Sequence, residues 1–112
     1  MEFRHRVENE IDIIELEGRF DAYEVPVVSR WFDEHPAASH VIVDLGGVSF
    51  IDSLGLSTLV KGLKRCRQNQ GDLYLCNMAQ SVLIIFELTR LSLAFSVFPD
   101  CESALEAFST AK

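Results

Sequence analysis

The run Val41-Ile42-Val43-Asp44-Leu45 constrains this chain more than any other feature. It is short, apolar and β-branched, the composition of a strand covered on both faces. Helical spacing precedes it in Val25, Val28, Trp31 and Phe32, and follows it in Leu56, Leu59, Val60 and Leu63. A two-faced strand between two amphipathic helices belongs at the centre of a sheet. Strands joined through helices run parallel, because the crossover needs a dozen residues or so.

The remaining segments extend that pattern. Phe3 to Glu8 reads as a strand, Asn9-Glu10 as a turn, and Ile11 to Glu17 alternates with period two, so a hairpin opens the chain. Gly18 is expected to end the second strand. Asp21-Ala22-Tyr23-Glu24 has the look of a capping box in which Asp21 accepts from the Glu24 amide. Pro26 suits only a helix start, and Pro36 ends that helix by His35. Gly46-Gly47 predicts a turn, after which Val48 to Ile51 leads into Asp52-Ser53. The next helix runs to about Gln70, with Gly71 as its left-handed stop. Leu73 to Cys76 is a strand, Val82 to Thr89 a helix, Phe95 to Phe98 a strand and Glu102 to Phe108 a helix. The order is β-β-α-β-α-β-α-β-α, a mixed sheet with helices of the α/β (α+β) class.

A length of 112 residues, 48% of them apolar, suits one domain over residues 1–112 with a single core. Seventeen acidic against ten basic residues give a net charge of −7, which disfavours nucleic acid and anionic membrane as direct partners. The longest apolar run, Val82 to Phe86, is far below the ~20 residues of a membrane span. No apolar stretch follows Met1-Glu2-Phe3-Arg4-His5-Arg6, so no signal peptide is expected and the location is read as cytoplasmic. Cys66, Cys76 and Cys101 have neither disulfide-framework nor zinc spacing, and Cys76 falls in a core strand pattern. His5, His35 and His40 are scattered and are assigned to the surface; no metal or cofactor is called for.

The chemistry lies in Val48-Ser49-Phe50-Ile51-Asp52-Ser53-Leu54-Gly55-Leu56. Asp-Ser opens a helix directly after a buried strand. The first N–H groups of a helix lack internal partners and the dipole there is positive. A serine in this place caps the helix, or carries a phosphate of about −2 charge that the backbone N–H groups and dipole tolerate.

Asp52-Ser53-Leu54-Gly55-Leu56, following Val41 to Leu45 and Val48 to Ile51, resembles the signature of the STAS family, which includes the bacterial anti-sigma factor antagonists. Gly18-Arg19-Phe20-Asp21, Gly71 to Cys76 and Phe86 to Leu91 are similar to three further family segments in the correct order, so the resemblance spans nearly the whole chain. It implies a binding protein and not an enzyme. Members of this type bind an anti-sigma factor that is also a serine kinase. They are released when the serine after the aspartate is phosphorylated, and are reset by a PP2C-like phosphatase. Carried onto this chain, Ser53 is the acceptor, and Asp21, Asp52, Ser53, Leu54, Gly55 and Leu56 form the partner-binding set. Leu54 departs from the small or hydroxylated residue common after the acceptor, and Arg90 stands where glycine is common.

Asp44 invites comparison with the acceptor of a phospho-receiver domain, but the acidic pair and lysine of a receiver are missing, so it is read as a polar strand end. Ser57 and Thr58 are secondary acceptor candidates best read as ordinary helix residues. Lys61, Lys64, Arg65 and Arg67 make a basic, solvated face. No phosphate loop, zinc-protease motif or nucleophile elbow is present. Two other readings stay open. One is a STAS subunit of a membrane lipid or anion transport assembly, with Ser53 structural. The other is a small nucleotide-binding or catalytic domain.

Overall fold

A computed structural model describes residues 1–110. The first hairpin pairs β1 (Glu2–Glu8) with β2 (Ile11–Phe20) antiparallel, through Asn9 and Glu10, both at positive φ. Then follow α1 (Val25–Glu34), β3 (His40–Ile51), α2 (Ser53–Gln68), β4 (Asp72–Cys76), α3 (Gln80–Leu88), a 3₁₀ turn (Leu91–Leu93), β5 (Ser96–Phe98) and α4 (Cys101–Thr110). The five strands lie side by side in chain order, with β2 to β5 parallel. Each crossover steps to the next strand with the same hand, so α1, α2 and α3 share one face of the sheet.

The two-faced character of β3 is explained by what covers it. Val41, Val43 and Leu45 enter the larger core under α1, α2 and α3, beside Ile14, Leu16, Leu73 and Leu75. Ile42 points the other way, into a smaller core with Ile11, Ile13, Tyr74 and Cys76 under Ala104 and Phe108 of α4. Asp44 is not the strand end expected of it: it lies half-buried inside β3, where it accepts from the Gly46 amide and from Asn77 Nδ2.

Several local expectations are corrected. Gly46-Gly47 is no turn: β3 runs through it, and the register with β2 slips there, Glu15 facing Asp44 but Glu17 facing Gly47. A bulge of this kind needs room, and a Cβ on Gly47 would lie 2.8 Å from Glu17 Cγ. Gly18, at φ +105°, likewise marks an irregularity inside β2, which continues to Phe20. The left-handed residue after α2 is Gln70 (φ 65°), not Gly71. Gly71 is needed for close approach, since a Cβ there would come within 1.9 Å of the Ser39 carbonyl oxygen.

Two of the three histidines come together in space. His5 lies 5.1 Å from the Trp31 ring and 5.6 Å from His35, and His35 stacks on Trp31 at 4.3 Å. His40, half-buried, stacks on Phe108. Trp31, Phe32 and Phe86 are core residues.

Candidate functional site at the mouth of helix α2

Phe20 and Ile51 face each other across β2 and β3, so the two strands end side by side. The chain leaves them as Asp21 and Asp52. The Asp52 amide donates to the Phe20 carbonyl at 3.3 Å. Asp52 is extended and its side chain caps α2: Oδ1 accepts from the Leu54 and Gly55 amides at 3.0 and 2.9 Å. Its Oδ2 accepts from the Ala22 amide at 3.1 Å. One carboxylate therefore satisfies two orphan donors of α2 and ties the segment after β2 to the same point.

This arrangement settles which residue of the pair caps the helix. Asp52 is the N-cap and Ser53 is the first helical residue, exposed, with no hydrogen bond to its hydroxyl among the described residues. The Leu54 and Gly55 amides already serve Asp52, so they do not cradle a group added at Ser53. Such a group would stand in solvent, one residue from a carboxylate.

The other site residues divide by orientation. Leu54 is 52% exposed, and Tyr23 across the Asp52–Ala22 tie is 90% exposed. Gly55 and Leu56 point inward. Gly55 brings α2 against β2, where a Cβ would lie 2.6 Å from the Phe20 carbonyl oxygen and 2.9 Å from Ile51 Cγ1. Leu56 begins the buried stripe. Both hold the mouth in place and present no surface of their own. Ser57 is exposed, whereas Thr58 is buried and donates to the Leu54 carbonyl.

Asp21 does not form the expected capping box. Its side chain accepts from the Tyr23 amide at 3.1 Å, and its carbonyl, not its carboxylate, takes the Glu24 and Val25 amides. Arg19 Nε lies 3.8 Å from Asp21 Oδ2, and the Arg19 guanidinium covers the Phe50 ring at 4.0 Å. Tyr23, Arg19 and the Ala22 amide were not foreseen as parts of this mouth. The signal for them is the register of β2 against β3, which shifts at two bulges.

The electrostatics are uneven. Helix α2 contains no acidic residue and carries Lys61, Lys64, Arg65 and Arg67 in a chain of net charge −7. Arg65 pairs with Asp33 and Arg67 with Asp72. Lys61 and Lys64 have no ion pair among the described residues. The mouth itself holds the carboxylates of Asp21 and Asp52.

Four parallel strands with one antiparallel strand added at the edge, and three helices on one face, define a mixed α/β domain with an exposed serine behind an aspartate cap. The chain belongs to the STAS domain family, whose model matches residues 2–104. It is 33% identical over 94 residues, 82% of each chain, to the anti-sigma-B factor antagonist of Listeria monocytogenes. In fold it resembles an anti-sigma-factor antagonist (STAS) domain protein of Planctomyces limnophilus, with a TM-score of 0.86 and 24% identity over 96% of this chain and 97% of that one. It also resembles the Bacillus cell fate determinant SpoIIAA in two states. The unphosphorylated form gives a TM-score of 0.73 (19% identity, 98% and 97% covered), and the phosphorylated form 0.74 (20%, 96% and 99%).

Proposed function

We propose that this chain, acting as one domain over residues 1–112, is an anti-sigma factor antagonist switched at Ser53. Unphosphorylated, it binds an anti-sigma factor that is also a serine kinase, through the mouth of α2. The kinase moves the γ-phosphoryl group of ATP to Ser53 Oγ, ADP leaves, and the hydroxyl proton is lost. The phosphorylated chain lets go, and a PP2C-like phosphatase restores the hydroxyl by hydrolysis.

The observation that carries this reading is the Ser53 hydroxyl: exposed, without a hydrogen bond among the described residues, and first in a helix whose cap is supplied by its neighbour. Its modification breaks nothing in the fold. The addition takes the net charge from −7 to about −9 and puts the increment beside the Asp52 carboxylate. Burying such a dianion unpartnered in a complex costs several kcal/mol, against about 8 kcal/mol for a whole micromolar association. Release therefore follows from a local penalty. The similar match to SpoIIAA in both its states favours a switch without refolding, and identity to an anti-sigma-B factor antagonist favours this role over that of a transport subunit.

Incubation of the full chain with its anti-sigma kinase and ATP tests the reading. Phosphate is expected on the Ser53 peptide alone and absent from Ser53→Ala. Ser53→Ala is expected to bind the kinase, and Ser53→Asp to bind it at least tenfold more weakly. Equal binding by all three forms would remove the switch.

A further inference from the structure

Two of the three cysteines meet beneath α4. Cys76 closes β4 and pairs in register with Phe98 of β5. Three residues after Phe98 the chain turns back over the same face of the sheet as α4, and Cys101 is its first helical residue. The turn is fixed by Asp100, whose carboxylate accepts the Ser103 amide at 2.7 Å. Cys76 belongs to the small core under α4, and the half-buried Cys101 packs against it. Both side chains face this small core, near enough for each to influence the other's ionisation. Arg6 Nη2 stands 3.7 Å from Cys101 Sγ. Cys66 lies in the other core, across the sheet.

We propose that Cys76 and Cys101 are a dithiol that closes to an intrachain disulfide by exchange with a small-molecule disulfide such as oxidised glutathione. Cys101, the more accessible of the pair, attacks first as its thiolate. A Cys101–glutathione S–S bond forms, the glutathione S–S bond breaks, and one glutathione leaves as thiolate. The Cys76 sulfur, having lost its proton, then attacks Cys101 Sγ and expels the second glutathione. The two protons released by the protein end on the two glutathione thiolates. One dithiol is oxidised and one glutathione disulfide is reduced.

The surroundings set the rate and the order. Burial pushes both thiols up, so at neutral pH they are protonated and exchange slowly. The Arg6 guanidinium opposes this at Cys101, where Asp44 and Glu8 press the other way, while Asp44 and Asp100 press Cys76 further upward with no cation among the described residues to oppose them. The disulfide would close the chain between residues 76 and 101 and fasten the start of α4 to the sheet.

The test uses the full reduced chain and oxidised glutathione under native conditions at about pH 8.5, the ordinary thiol range. The expected product has lost the mass of two hydrogens and gives a linked peptide joining Cys76 to Cys101. It keeps one alkylatable thiol, Cys66, after denaturation, and melts at a higher temperature than the reduced protein. Cys66→Ser should close the same bridge and Cys101→Ser should form none. Closure should be faster at high pH than at neutral pH. Three free thiols after prolonged exposure, a lasting glutathione adduct on Cys101, a bridge through Cys66 or a disulfide-linked dimer would each overturn the proposal.

Discussion

Gly55 and Phe20 touch backbone to backbone: a Cβ on Gly55 would stand 2.6 Å from the Phe20 carbonyl oxygen. The same carbonyl accepts the Asp52 amide. The end of β2 thus fixes the start of α2, and with it the place of Ser53. Gly55→Ala must push the helix off the sheet, because the obstructing atom is main chain and cannot rotate away. The expected cost is about 1–3 kcal/mol, or several degrees in melting temperature, with weaker partner binding. A variant with wild-type melting temperature would show that the contact is not tight.

Asp52 holds three amides with two oxygens. Asp52→Ala loses all three bonds and should destabilise by about 1–2 kcal/mol. Asp52→Asn keeps one acceptor oxygen, which can still cap α2, but its amide nitrogen cannot accept from Ala22. It should fall between wild type and Ala in urea denaturation. An Asn variant as unstable as Ala would mean that the charge, not the cap, matters.

Leu54 is half exposed beside the hydroxyl that we assign as the switch. Leu54→Ser removes little from the folded chain, and stability should change by no more than about 0.5 kcal/mol. If the partner covers this mouth, the lost apolar burial should weaken binding by about 1–2 kcal/mol, roughly 5–30-fold. Titration calorimetry against the anti-sigma factor separates the two effects. Unchanged affinity would place Leu54 outside the contact.

The order of all nine strands and helices was legible because it rests on local periodicity: the alternation of Ile11 to Leu16, the two-faced run at Val41, the stripe from Leu56 to Leu63. The Asp52-Ser53 helix start was legible for the same reason, since a cap is read within a few residues. What sequence missed is set by contact between distant segments. The bulge at Gly47 depends on where β3 falls against Glu17. The tie from Asp52 to Ala22 depends on that same register, and the His5–Trp31–His35 stack joins β1 to α1. The 3₁₀ turn at Leu91–Leu93 offers no period long enough to read.

The end of α2 shows how such a miss becomes a measurable statement. Gln70 adopts the left-handed backbone while Gly71, beside it, is held against Ser39. A side chain at positive φ costs about 1 kcal/mol, partly offset in the unfolded chain when glycine replaces it. Gln70→Gly should therefore stabilise by about 0.5 kcal/mol. Gly71→Ala should destabilise by more than about 3 kcal/mol, because the Ser39 carbonyl lies where its methyl group would go. Glycine scanning with chemical denaturation gives both values, and opposite signs at these neighbouring positions are the expected signature.

Acid should loosen α4 through Asp100. The Ser103 amide donates to its carboxylate and holds that carboxyl below the ordinary aspartate range. A group whose folded pKa is depressed contributes stability above its unfolded pKa and loses it as pH falls through the folded one. The loss belongs to the interval below about pH 4, where an unfolded aspartate is already taking up its proton. Asp100→Asn keeps an oxygen to accept from Ser103 but has no proton to gain. Its stability should fall less steeply than wild type over that interval, with the two curves parallel near neutrality. Carboxyl chemical shifts followed through the titration give the site directly, and an Asp100 midpoint at or above the ordinary aspartate value would refute the assignment.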